Sequence, residues 1–113
     1  MNTKNMETKN TTALITGASS GIGFELARCF ARDNYHVVMV AHHQSKLQEA
    51  AQKIQQEFPT VPVNTISCDL SKDNAPEQVF KQVQQQGWQV EVLVNNAGAN
   101  HKTVVQFISN NRA

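Results

Sequence analysis

The sequence predicts a three-layer α/β fold: a four-stranded parallel sheet in spatial order 3-2-1-4, with helices on both faces. Three observations carry this. Short apolar runs alternate with longer stretches whose apolar residues recur at helical spacing, the order expected of strand–helix–strand units. The first such run ends directly in a glycine-rich turn, and a helical pattern follows at once. Crossovers between parallel strands are right-handed, so the first two helices share one face and the fourth strand pairs on the free side of the first. That arrangement leaves a switch point between strands 1 and 4, where ligands bind at the strands' carboxyl ends.

Residues 11–16 (TTALIT) read as a buried strand, short and β-branched at its ends. Residues 20–33 follow as a helix. Ile22, Leu26, Cys29 and Phe30 stand at i, i+4, i+7 and i+8, so they are its predicted buried face. Residues 36–41 (HVVMVA) are apolar at nearly every position, as a strand covered on both sides must be. Residues 45–58 form a second helical pattern, with Ser45 and Gln48 at capping-box spacing and Leu47, Ala50, Ile54 and Phe58 as its stripe. Pro59 ends it. Residues 61–66 are a third strand. Asn74 is placed to cap a third helix, with Pro76 in its first turn, Glu77 three residues after the cap, and Val79, Phe80 and Val83 facing inward. Gly87 stops it, and residues 90–94 form the fourth strand.

The 113 residues suffice for one small domain, burying roughly two thirds of the unfolded surface. With 40% apolar and 17% charged residues the chain is globular. A net charge of +1 and no basic run give no electrostatic attraction to nucleic acid or an anionic membrane. Cys29 and Cys68 form no C-x-x-C pair and read as free thiols in a reducing compartment. Residues 1–10 are polar, a flexible arm rather than a secretory signal. No apolar stretch approaches the roughly 18 residues that span a bilayer. A soluble cytoplasmic protein is therefore expected. His36, His42, His43 and His101 show no metal-ligand spacing.

The sharpest motif is Thr16-Gly17-Ala18-Ser19-Ser20-Gly21-Ile22-Gly23, with glycines spaced G-x-x-x-G-x-G. Gly17 turns the chain off the strand, Gly21 lets backbone approach a pyrophosphate, and Gly23 lets the helix seat closely on the sheet. The helix N-terminus adds unpaired N–H groups and a positive dipole end. Ser19, Ser20 and Ile22 belong to the same candidate site.

These residues are similar to the TGxxxGIG motif of the short-chain dehydrogenase/reductase family. Cys68-Asp69-Leu70-Ser71 resembles that family's acidic loop after the third strand, and Asn95-Asn96-Ala97-Gly98 its NNAG motif after the fourth. The resemblance covers about residues 11–99 and implies the dinucleotide-binding half of a Rossmann-type fold. It implies hydride transfer between a nicotinamide cofactor and a carbonyl or alcohol carbon in the complete enzyme. Asp69 would meet the adenine beside the Leu70 backbone, unless it merely caps its own loop as an Asx-turn. Asn95, Ala97 and Gly98 would line the adenosine ribose. Asn95 and Asn96 can equally tie neighbouring loops together.

The end of the second strand bears on the cofactor. A ribose diol is held there by Asp or Glu, and this chain has Ala41-His42-His43 instead. NADP-preferring members of the family usually carry Arg one position on, and this chain departs from that pattern with His42. His42, with Lys46 and Ser19, can donate to a 2′-phosphate, so NADP is expected over NAD.

The family's chemistry needs a Ser and a Tyr-x-x-x-Lys downstream of NNAG, the Tyr moving the proton and the Lys lowering its pKa. The chain's one tyrosine, Tyr35, has Met39 at i+4. These residues alone are expected to be inactive. A nucleotide-binding module that pairs with a longer relative, and a fragment without function, are the rival readings. Residues 100–113 carry no motif of the family and read as an aberrant or divergent tail. Val104, Val105, Phe107 and Ile108 can form a short strand or one helical turn, and residues 90–94 are expected to form an open apolar edge that drives self-association unless residues 104–108 pair with it or pack over that face.

Overall fold

In the computed structural model, residues 11–96 and 103–108 are described. The expected N-terminal arm and the candidate residues Ala97 and Gly98 lie outside them. In chain order the elements are β1 (Thr12–Thr16), α1 (Gly21–Arg32), β2 (His36–Ala41), α2 (Gln44–Glu57), β3 (Val63–Ser67), α3 (Ala75–Gln86), β4 (Val90–Asn95) and β5 (Val104–Phe107). The sheet order is β3-β2-β1-β4-β5. The first four strands are parallel in the order the sequence predicts.

Strands β1 and β2 are buried along their whole length because helices cover both faces of the sheet. Side chains alternate between two cores. Ala13, Ile15, Val37 and Met39 face α1 and α2, meeting Ala27, Ala31, Leu47, Ala50 and Ile54. Leu14, Val38, Val40 and Ile66 face the other way, meeting Val79 and Val83 of α3. An exposed brace joins the two helices on the first face. The Arg28 guanidinium donates to both Glu57 carboxylate oxygens at 2.8 and 2.7 Å, and to Glu25 at 2.9 Å.

Four local expectations are corrected. The buried stripe of α1 is Gly23, Ala27 and Ala31, one position round from the predicted face, and Ile22 is 60% exposed. Small residues win there because the helix lies too close to the sheet for large ones; Leu26 and Phe30 pack along its flank. On α2 the Ser45–Gln48 capping box does not form. His43 is the N-cap, Ser45 falls inside the helix, and the Gln48 amide donates to Thr65 Oγ1 at 3.3 Å. Asn74 stands at the N-cap of α3 but makes no side-chain capping bond. On the same helix Phe80 is 61% exposed. It overhangs an apolar groove of about 720 Å³ between α3 and the sheet, lined by Leu14, Val79, Leu93, Trp88 and Ile108 among others. Gly87 ends α3 as expected, with φ +73°.

The fifth correction concerns the edge. Residues 90–94 are not open: β5 pairs antiparallel with β4, in register from Val92 opposite Phe107 to Asn95 opposite Val104. The Ile108 N–H extends the ladder to the Glu91 carbonyl at 2.7 Å. Two adjacent β-branched residues, Val104 and Val105, favour the extended backbone with which this short segment satisfies the donors and acceptors that β4 would otherwise present to water.

Candidate functional site

The candidate site lies at the carboxyl ends of β1 and β4. The chain leaves β1 through Gly17, and the Ala18 N–H donates to the Val40 carbonyl at 3.2 Å, which pins the turn to the end of β2. Two side chains lock it to β4. Thr16 Oγ1 accepts from the Asn96 N–H at 2.9 Å and donates to the Val94 carbonyl at 3.4 Å. The Asn96 side-chain amide donates to the Gly17 carbonyl at 3.4 Å, and its Oδ1 accepts from the Thr103 hydroxyl at 2.6 Å. Asn96 therefore does the loop-tying considered for the two asparagines. The part played by Thr16 was missed; a hydroxyl immediately before Gly17 was its only signal in the sequence.

The glycines divide into two jobs. Gly23 is buried against the turn: a Cβ there would overlap the Gly17 carbonyl and stand 2.8 Å from the Asn96 amide. Gly21 has φ +62° and nothing within 4 Å of where a Cβ would lie. It opens onto solvent at the first residue of α1, where backbone N–H groups have no intrahelical partner. Ser20 is the N-cap, yet its side chain makes no capping bond, and the first turn carries no acidic residue. The positive end of α1 is thus not neutralised from within. Ser19 is half-buried, while Ser20, Gly21 and Ile22 are exposed beside it. An anion can reach this end of the helix.

The second part of the site lies at the ends of β2 and β3. Ala41 is buried, and His42 and His43 emerge into solvent with their rings stacked at 5.0 Å. Asp69 comes within 3.8 Å of His42, Oδ2 to Nε2, so the fold supplies near His42 a carboxylate that the strand-2 sequence lacks. The Ser71 hydroxyl at 2.7 Å and its N–H at 3.0 Å both donate to Asp69 Oδ1. This is the Asx-turn weighed as the alternative role for Asp69. The Ser71 hydroxyl, then its N–H, then His42 and Lys72 hold the Asp69 carboxyl below its ordinary value, so it is ionised at neutral pH. Burial, with Asp69 beside it, pushes the Cys68 thiol up, so this cysteine is a poor nucleophile at neutral pH. Leu70 and Asn95 both line the groove beside α3, and Asn95 sits at the exposed end of β4. Among the described residues, then, Gly17, Ser19, Ser20, Gly21, Ile22 and Gly23 gather at one helix end. His42 and Asp69 form a second cluster, and Leu70 and Asn95 flank the groove.

Comparison with known proteins agrees with this geometry. The short chain dehydrogenase family model matches residues 11–112. A very-long-chain 3-oxoacyl-CoA reductase of Coccidioides immitis is 34% identical over 100 residues, covering 88% of this chain and 29% of that protein. A fatty acyl-CoA reductase of Acinetobacter baylyi is 38% identical over 97 residues, covering 86% and 32%. The chain therefore spans about three-tenths of the length of these relatives. Among solved structures, L-sorbose reductase from Gluconobacter frateurii, complexed with NADPH and L-sorbose, superposes with a TM-score of 0.74 at 35% identity. That match covers 83% of this chain and 35% of the other. A short-chain dehydrogenase from Sphingobium yanoikuyae in complex with NADPH gives 0.69 at 35% identity, covering 78% and 34%. A glycine turn braced to β4 by Thr16 and Asn96, a parallel sheet in this order and a family match along nearly the whole chain lead to one conclusion: the chain belongs to the short-chain dehydrogenase family.

Proposed function

We propose that residues 11–99 form the dinucleotide-binding half of a nicotinamide-dependent oxidoreductase, and that its preferred cofactor is NADP. The observation that carries this reading is the open N-terminus of α1. Gly21 leaves the approach clear, no acidic side chain neutralises the first turn, and Thr16 and Asn96 hold the turn rigid beside it. The backbone N–H groups at 21–23, with Ser19 and Ser20, would hold the pyrophosphate, Asp69 and Leu70 the adenine, and Asn95, Ala97 and Gly98 the ribose. When bound, the nicotinamide supplies hydride chemistry on a carbonyl or alcohol carbon. His42 supports NADP, since it is exposed just past β2 and no carboxylate directly follows that strand, the nearest being Asp69 of the next loop at 3.8 Å.

Titration calorimetry with both cofactors tests this. NADP should bind the chain weakly but more tightly than NAD, and a preference for NAD would overturn the cofactor assignment. His42→Arg should tighten NADP about tenfold, the worth of one charge-assisted hydrogen bond, and leave NAD unchanged. These residues contain no Tyr-x-x-x-Lys, so no turnover of a carbonyl panel with NADPH is expected at high protein concentration. Turnover that disappears in Gly21→Trp would show that another group moves the proton.

A second reading is a nucleotide-binding module that pairs with a longer relative, and the apolar groove beside α3 favours it. Co-purification of a full-length family member with the chain would support it. No helix among the described residues is long and apolar enough to cross a membrane. Two free, half-buried thiols fit a reducing cytoplasm.

A further inference from the structure

The end of the sheet opposite the candidate site holds a buried histidine that the nucleotide reading does not use. His36 opens β2 and is 8% exposed. Its ring lies between residues of the two flanking strands. Thr12 Oγ1 of β1 is 2.8 Å from Nδ1, and Asn64 Oδ1 of β3 is 2.7 Å from Nε2. The carboxamide oxygen only accepts, so Nε2 carries the proton and donates to it. Nδ1 is then an acceptor, and the Thr12 hydroxyl donates to it. This bonding uses both nitrogens of a neutral imidazole. The Trp88 ring stands at 5.0 Å, tilted by 68°.

The same place gathers several main-chain joints. Thr12 N–H donates to the Gln89 carbonyl at 2.9 Å, His36 N–H to Thr11 at 3.1 Å, and Val37 N–H to Pro62 at 3.1 Å. The three strands and the connection from α3 to β4 therefore meet around one ring. We propose that His36 is a proton-operated latch: neutral, it ties β1 to β3 at the amino end of the sheet, and protonated, it releases Thr12 and loosens that end.

The chemistry follows from the bonding. A second proton must go on Nδ1, where the Thr12 O–H already points. The hydroxyl has to turn round and accept, and a cation is left in a nearly dry site. Among the described residues, the side chains that contact the ring are Thr12 from β1, Asn64 from β3 and Trp88 from the α3–β4 connection, and none of them titrates near neutral pH or carries a charge. Burial accordingly pushes the His36 pKa below its ordinary value, against a smaller opposing effect of the Asn64 hydrogen bond. The sign is that of a depressed base. The unfolded chain binds the proton more readily, so the stabilisation is complete above the ordinary histidine pKa of about 6.5 and is lost as pH falls below it.

Trp88 is the chain's one tryptophan and touches the ring, so its emission reads the latch without a label. An imidazolium quenches a neighbouring indole more strongly than neutral imidazole does. Between pH 8 and pH 5, in the folded chain, emission should fall along a one-proton curve with its midpoint below the ordinary histidine value. His36→Gln should flatten the curve, and the protection of the Thr12 and Val37 amides, taken relative to intrinsic exchange at each pH, should fall in acid in the wild type alone. Flat emission in the wild type, a midpoint at or above the ordinary value, or the same curve in His36→Gln would each overturn the proposal. Should His36→Gln fail to fold, Asn64→Leu serves, since Asn64 is exposed on the edge strand β3. It removes the bond that favours the cation and should lower the midpoint further; an unchanged or raised midpoint would refute the latch.

Discussion

Alanine at Gly23 should destabilise the chain by about 3 kcal/mol or more, whereas alanine at Gly21 should leave most of the stability in place. Both glycines belong to one motif and stand two residues apart, but their surroundings differ. A methyl group at 23 would overlap the carbonyl of Gly17 and press on the Asn96 amide. Backbone cannot swing aside as a long side chain can, so α1 must lift from the turn. That separates Gly23, Ala27 and Ala31 from the sheet and breaks the packing that small residues make possible. Overpacking of this kind costs about 1–3 kcal/mol in ordinary cores and more where backbone is the obstacle. For a chain this long that corresponds to a fall in Tm of roughly 10 °C or more. At Gly21 a methyl meets nothing, so the cost is the left-handed backbone alone, about 1–2 kcal/mol. Its Cβ would, however, stand where the proposed pyrophosphate comes in, so binding should be lost from a chain that still folds. Thermal melts and calorimetric titrations of the two variants, run side by side, check this. Equal melting temperatures would mean that the contact between Gly23 and Gly17 does not matter to the fold.

Deleting residues 102–113 is the second large perturbation. It removes β5 and with it every ladder bond on the outer side of β4. It also takes away Thr103, which holds the side chain of Asn96. The remaining edge would be Val90-Glu91-Val92-Leu93-Val94, with one charge to discourage pairing with another copy. The shortened chain should associate or precipitate at concentrations where the whole chain stays in solution. The whole chain has an apolar outer strand of its own, since Phe107 is 70% exposed and β5 carries no charged residue. Self-association of the whole chain, if light scattering finds it, should therefore run through β5, and Phe107→Lys should suppress it. A shortened chain that remains monomeric over a wide concentration range would show that β4 does not need its cover.

The layers of this fold were legible in the chain because periodicity reports directly on burial. Residues 36–41 are apolar at nearly every position only because helices lie on both sides of them. The order 3-2-1-4 follows from crossover handedness once four strands and three helices are recognised. The glycine spacing was legible for a similar reason: a turn that must lie near a helix end and a ligand admits few residue types. Other features depended on distances that a linear pattern does not contain. Ile22 and Phe80 look inward at helical spacing, yet both are exposed, since α1 sits so close to the sheet that alanines and glycine take the contact and Phe80 stands at the rim of the groove beside α3. Ser45 and Gln48 have the spacing of a cap, but α2 starts at Gln44 and leaves Ser45 inside. Asp69 lies 27 positions after His42 and meets it only because β2 and β3 are neighbours. The pairing of β5 with β4 was one of two shapes the last apolar residues allowed. Tertiary structure decided between them, because the unpaired backbone of β4 makes a strand worth more there than an isolated helical turn.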